Sequence, residues 1–108
     1  MIKLQMLKVT GNSMTPTLMP GVFVVIWRWR LLGHSQRLKM GDIVAVNHPI
    51  YGQIVKRVSQ LRCDDQGRLI ELCLRGDNEQ ASLSEEEMGW TAEQTVMGRV
   101  IYVVSAKA

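Results

Sequence analysis

The sequence predicts an all-β fold of short antiparallel strands with at most one short helix. Its apolar segments are only a few residues long and rich in β-branched side chains. Turn-forming residues punctuate the chain between them. Only one stretch, Ser82 to Met88, carries a helix-start signal, because Ser82 followed by Glu85 would form a capping box.

The elements follow in chain order. Met1 to Val9 has neither a long apolar core nor a small-residue cleavage site, so it is not read as a secretory leader. Pro20-Gly21 opens the first predicted strand, Val22 to Ile26. Trp27-Arg28-Trp29-Arg30 alternates at period two, which as a strand places the tryptophans on one face and the arginines on the other. The simpler reading is a strand end whose tryptophans cover the core; the other is a membrane-interface or substrate-facing edge. Leu31 to Met40 is polar and reads as an exposed loop. Gly41-Asp42 then introduces Ile43 to Val46, and His48-Pro49 with Tyr51-Gly52 introduces Ile54 to Val58. Asp64 to Gly67 turns the chain into Leu69 to Leu74, and Gly76-Asp77-Asn78 turns it out again. The helical candidate ends at Gly89, and Val100 to Val104 is the last predicted strand.

A length of 108 residues and a hydrophobic share of 46% suit a single domain, residues 1–108, with one packed core. The formal net charge is +3 and the basic residues are scattered, so no nucleic-acid partner is expected. Cys63 and Cys73 either face each other across a hairpin or stay reduced, and reduced thiols are the favoured reading. With His34 and His48 they lack a zinc spacing, so neither metal nor cofactor is expected. The longest apolar run, Val22 to Trp27, falls far short of the roughly 20 residues of a membrane-spanning helix. No integral membrane segment is expected, and the protein is read as soluble and cytoplasmic.

Two residues carry the chemistry. Ser13 lies in Gly11-Asn12-Ser13-Met14-Thr15-Pro16-Thr17-Leu18, and Lys56 in Tyr51-Gly52-Gln53-Ile54-Val55-Lys56-Arg57-Val58. A serine hydroxyl needs a base to take its proton before it attacks an amide. Neither histidine has a triad-like setting. A lysine can substitute where burial disfavours the ammonium form, and the apolar stretch around Lys56 makes burial plausible. The pair predicts a Ser/Lys protease.

The serine segment, the lysine strand, the Gly76-Asp77-Asn78 turn and the Gly98-Arg99-Val100 strand occur in an order and spacing that resemble signal peptidase I and its relatives. The resemblance runs from about Val9 to Val104. It implies a compact signal-peptidase/LexA-like catalytic domain, with Ser13 as nucleophile and Lys56 as general base. It further implies that Ser82, four residues after Asn78, orients the lysine amine, and that Met14 packs beside the nucleophile. Asp77 would pair with Arg57, and the Ser13 amide would supply one oxyanion donor. Gly11 stands where some relatives carry a second donor, a serine. Ser84, Glu85 and Glu86 stand where bacterial signal peptidases have Asp-Ser-Arg, and Gly21-Val22 where they have Gly-Asp.

Twelve residues precede Ser13, so no membrane anchor is expected, and Lys56 lies only 43 residues after Ser13, so the extra β-domain of the large bacterial enzymes is not expected either. That compactness resembles the subfamily that matures nickel-type superoxide dismutase, which implies a precursor protein as partner and removal of its short N-terminal extension. Three alternatives stand beside it. One is a general signal peptidase acting on secretory preproteins. Another is a LexA-like self-cleaving regulator, although neither Ala-Gly nor Cys-Gly, where that class cuts itself, occurs here. The last is an inactive β-fold binding module.

Overall fold

The computed structural model describes residues 3–28, 38–81 and 88–104. Among these residues seven strands form one antiparallel sheet: β1 (Lys3–Lys8), β2 (Phe23–Arg28), β3 (Ile43–His48), β4 (Gly52–Cys63), β5 (Leu69–Arg75), β6 (Trp90–Ala92) and β7 (Val96–Val104). Their spatial order is β1-β2-β7-β3-β4-β5-β6. Short 3-10 turns cover Glu79–Ala81 and Glu93–Thr95. The all-β expectation therefore holds.

All five predicted strands are present, and ladder pairing extends them beyond their apolar cores. The longest, β4, runs on through Gln60, Leu61 and Arg62, which pair with Cys73, Leu72 and Glu71 of β5. Two strands escaped the sequence reading. β1 is built from Lys, Leu, Gln and Met, residues with little intrinsic strand preference; its pairing with β2 from Lys3↔Arg28 to Lys8↔Phe23 holds it extended. β6 is only three residues long and exists by pairing with Glu71 to Cys73. Trp27 and Arg28 end β2, whereas Trp29, Arg30 and most of the expected 31–40 loop lie outside the described residues. So does the helical candidate apart from Met88.

The core lies on both faces of β3. Val44 and Val46 enter one cluster with Val58, Leu72, Leu74 and Val96. Ala45 enters the other with Met14, Leu18, Val24, Ile26 and Met97. A strand covered on both faces reads as a continuous apolar run, and Ile43 to Val46 does so. Gly98 is required where β7 meets β2, since a Cβ there would sit 2.3 Å from the Trp27 carbonyl oxygen. Neither cysteine is in a disulfide; Cys63 is exposed and Cys73 buried. They do not oppose each other across the β4–β5 hairpin: Cys73 is opposite Gln60, and Cys63 opposite Leu69. The shifts of register in this ladder place them apart.

Candidate active site

Ser13 sits on a loop between β1 and β2 whose neck is closed by backbone bonds, Val9 N–H to the Val22 carbonyl and Gly21 N–H to the Val9 carbonyl, both 2.8 Å. Within the loop, Thr15 N–H reaches the Asn12 carbonyl and Leu18 N–H the Met14 carbonyl. Met14 and Leu18 are 2% and 1% exposed. Burying two such side chains contributes about 1.5–3 kcal/mol each and fixes the loop to the second core cluster. Ser13, between the exposed Asn12 and the buried Met14, remains partly accessible.

Lys56 lies on β4, an interior strand, directly opposite Val44 of β3. It is 7% exposed. Burial strips water from the ammonium and lowers its pKa below the ordinary 10.5. A solvated lysine on an edge strand is thereby excluded.

Ser13, Met14 and Lys56 line one cleft of about 250 Å³. Its walls come from Leu7 to Thr10 at the end of β1 and from Tyr51 and Gln53 to Lys56 at the start of β4. Among the described residues, Lys8 and Lys56 are its charged residues, and no carboxylate lines it. The cleft lies along β1, which has one β neighbour among the described residues.

The Asp77–Arg57 pair is present. Arg57 donates from Nε to Asp77 Oδ1 and from Nη2 to Oδ2, both at 2.7 Å, and from Nη1 to the Gly41 carbonyl. The Arg57 bond, helped by a bond from the Thr17 hydroxyl, lowers the Asp77 carboxyl to about 2. The same pairing raises the Arg57 pKa. Because Thr17 belongs to the serine loop and Arg57 follows Lys56, Asp77 joins the two. It also offsets the register that sets Arg57 opposite Arg75.

Asn78 contributes more than the turn expected of it. Its N–H donates to the Ser13 carbonyl at 2.8 Å. Its Nδ2 donates to the Asn12 carbonyl and to Thr15 Oγ1, at 3.1 and 2.9 Å. The Gly76-Asp77-Asn78 turn thus clamps the serine loop from across the fold. Only its place in the motif hinted at this, since no local pattern couples Asn78 to Asn12. Ser82, expected beside the lysine amine, lies outside the described residues.

Among the described residues, no group of three or more His, Cys, Asp or Glu could hold a metal ion. No helix among them is long and apolar enough to cross a membrane. No curated protein matches the chain. Residues 3–101 do match a family described as Peptidase S24-like. The match spans almost the whole sheet, both walls of the cleft, Ser13 and Lys56. The chain belongs to the Peptidase S24-like family, whose members are serine proteases with a Ser/Lys dyad.

Proposed function

We propose that the cleft is a peptidase active site in which Ser13 is the nucleophile and Lys56 the general base. The observation that carries this reading is a buried lysine with a lowered pKa lining the same cleft as a partly accessible serine. Neutral Lys56 takes the hydroxyl proton as Ser13 Oγ attacks the scissile carbonyl, and returns it to the leaving amine. The Ser13 amide donates to the oxyanion. Met14 shapes the site, Asp77 and Arg57 hold loop and strand together, and Ser82 orients the amine. The substrate enters extended along the exposed backbone of β1, as an added strand.

The family favours limited proteolysis of the S24/LexA type over the narrower role of trimming a nickel-type superoxide dismutase precursor. Leu7 and Lys8, at the end of β1, form part of the cleft wall rather than filling the cleft, which favours a substrate in trans. The assay incubates purified protein separately with the dismutase precursor, a secretory preprotein and a LexA-type repressor, and reads new N-termini by mass spectrometry. Cleavage of one or more, lost in Ser13→Ala, is the expected outcome. The substrate cut identifies the subfamily: dismutase maturation, preprotein processing or repressor cleavage. In a cleaved substrate, kcat/KM should rise with pH through the lowered lysine pKa and level off below 10.5. A rate still climbing at that value removes Lys56 from the base role.

A further inference from the structure

The hairpin from β3 to β4 brings into the cleft an aromatic ring that the chemistry above does not use. Tyr51 lines the cleft with Ser13, Met14 and Lys56 and is 43% exposed. The apolar residues Leu7, Val9 and Met14 also line it, but at 7%, 6% and 2% exposure they offer a substrate little surface, and Ile54 and Val55 are half-buried. Lys8, Thr10, Ser13, Gln53 and Lys56 give the wall polar groups that suit the amides of an extended peptide. Within it Tyr51 is the most exposed apolar side chain among the described residues.

The position of that ring is fixed by His48, the last residue of β3. His48 Nδ1 accepts the N–H of Ile50 at 3.1 Å and that of Tyr51 at 3.3 Å. Asparagine and aspartate side chains bond the backbone in the same way in an Asx turn. The acceptor role requires a neutral imidazole with its proton on Nε2. The two rings also pack, with centroids 4.7 Å apart and planes inclined by 35°. Gly52, opposite His48 in the register, has φ +73°, the left-handed conformation that closes a three-residue hairpin loop. The loop is thus held from its base and its end, and Tyr51 is ordered before any peptide arrives. A side chain ordered in advance loses less entropy on binding.

We propose that Tyr51, positioned by His48, is a specificity-determining residue of the cleft, selecting an aromatic or aliphatic side chain at one position of the bound peptide. The selection disfavours lysine and arginine there, because the Lys8 ammonium lines the cleft and no carboxylate does so among the described residues. This inference rests on the cleft being a peptide site, and its test separates the two.

The test pans a phage-displayed random decapeptide library on protein carrying Ser13→Ala, which binds without cutting. Three further backgrounds are compared: Tyr51→Ala, His48→Phe, which keeps a ring but has no acceptor, and His48→Asn, which keeps an acceptor at the Nδ1 position. Circular dichroism first establishes that each is folded. Enrichment of aromatic and aliphatic side chains at one position is expected in the parent, falling about tenfold or more in Tyr51→Ala and His48→Phe. Preferences at other positions should persist, and His48→Asn should retain the parent profile even if His48→Phe does not fold. Adding His48→Phe to Tyr51→Ala should change nothing further. A profile indifferent to Tyr51 overturns this inference while leaving the peptidase reading intact. A His48→Asn profile matching Tyr51→Ala removes the acceptor role of His48. Absence of any enriched peptide overturns this inference and also defeats the reading of the cleft as a peptide site.

Discussion

Replacing Asp77 with asparagine keeps the shape of the side chain and removes its charge. Asp77 holds a bidentate bond from Arg57 and a hydroxyl bond from Thr17, and its carboxyl is lowered from 3.8 to about 2. At about 1.4 kcal/mol per pKa unit, that drop caps the linkage at roughly 2.5 kcal/mol. The Arg57 and Asp77 side chains are 26% and 15% exposed, and solvent screening brings the expected effect to about 1–2 kcal/mol. The sign follows from the depressed pKa. The stabilisation is fully present above the unfolded carboxyl value, near 4, and is lost as pH falls through about 2. Urea unfolding of wild type and Asp77→Asn at pH 7 should therefore differ by about 1–2 kcal/mol, and the gap should close between about pH 4 and pH 2. A gap unchanged over that window would show that the charge of Asp77 is not what joins the serine loop to the lysine strand. Because that junction sets Ser13 relative to Lys56, kcat should fall in the variant at neutral pH while KM changes little.

Four further substitutions test other parts of the structure. Lys56→Met removes a buried amine whose lowered pKa opposes folding in full below its folded value and progressively less as pH rises to the unfolded 10.5. The variant should be inactive yet more stable than wild type at pH 7, with the advantage shrinking as pH approaches 10.5, as read by unfolding midpoints. Lys56→Arg should be as inactive as Lys56→Met, since arginine stays protonated; measurable hydrolysis would exclude the base role. Asn78→Ala deletes two side-chain bonds to the serine loop; a loss of about 1–2 kcal/mol and a kcat decrease exceeding any KM change are expected by unfolding and steady-state assays. Gly98→Ala drives a methyl against the Trp27 carbonyl, so thermal melts should show destabilisation of about 1–3 kcal/mol, with a Tm matching wild type counting against the close approach of β2 and β7.

The strands with apolar cores were legible because their signal is local. A β-branched run such as Ile43 to Val46 and a turn such as Gly76-Asp77-Asn78 need no knowledge of distant partners. The same holds for Ser13 and Lys56 as residues of interest, since motif order survives in one dimension. The pairing of Asp77 with Arg57 was expected through resemblance and is present as a bidentate bond. β1 was not legible: its Lys, Gln and Met are extended only because β2 supplies a ladder. Nor was the separation of Cys63 from Cys73, which follows from irregular register along β4 and β5.

By itself, then, the sequence determined the all-β class, the turn positions and the chemical types present at the cleft. Only the tertiary structure decided that Lys56 is buried, that β1 and β4 wall one cleft around Ser13, and that Asn78 clamps a loop 66 residues away. His48 shows the division within a single hairpin. Its identity and its place before Pro49 were readable, whereas its role as acceptor for two turn amides depends on where its ring points. Composition and periodicity encode what each residue prefers over its nearest neighbours. Desolvation and hydrogen bonding at the cleft depend on which distant backbone segments the sheet register brings together, and that is settled only when the chain is folded.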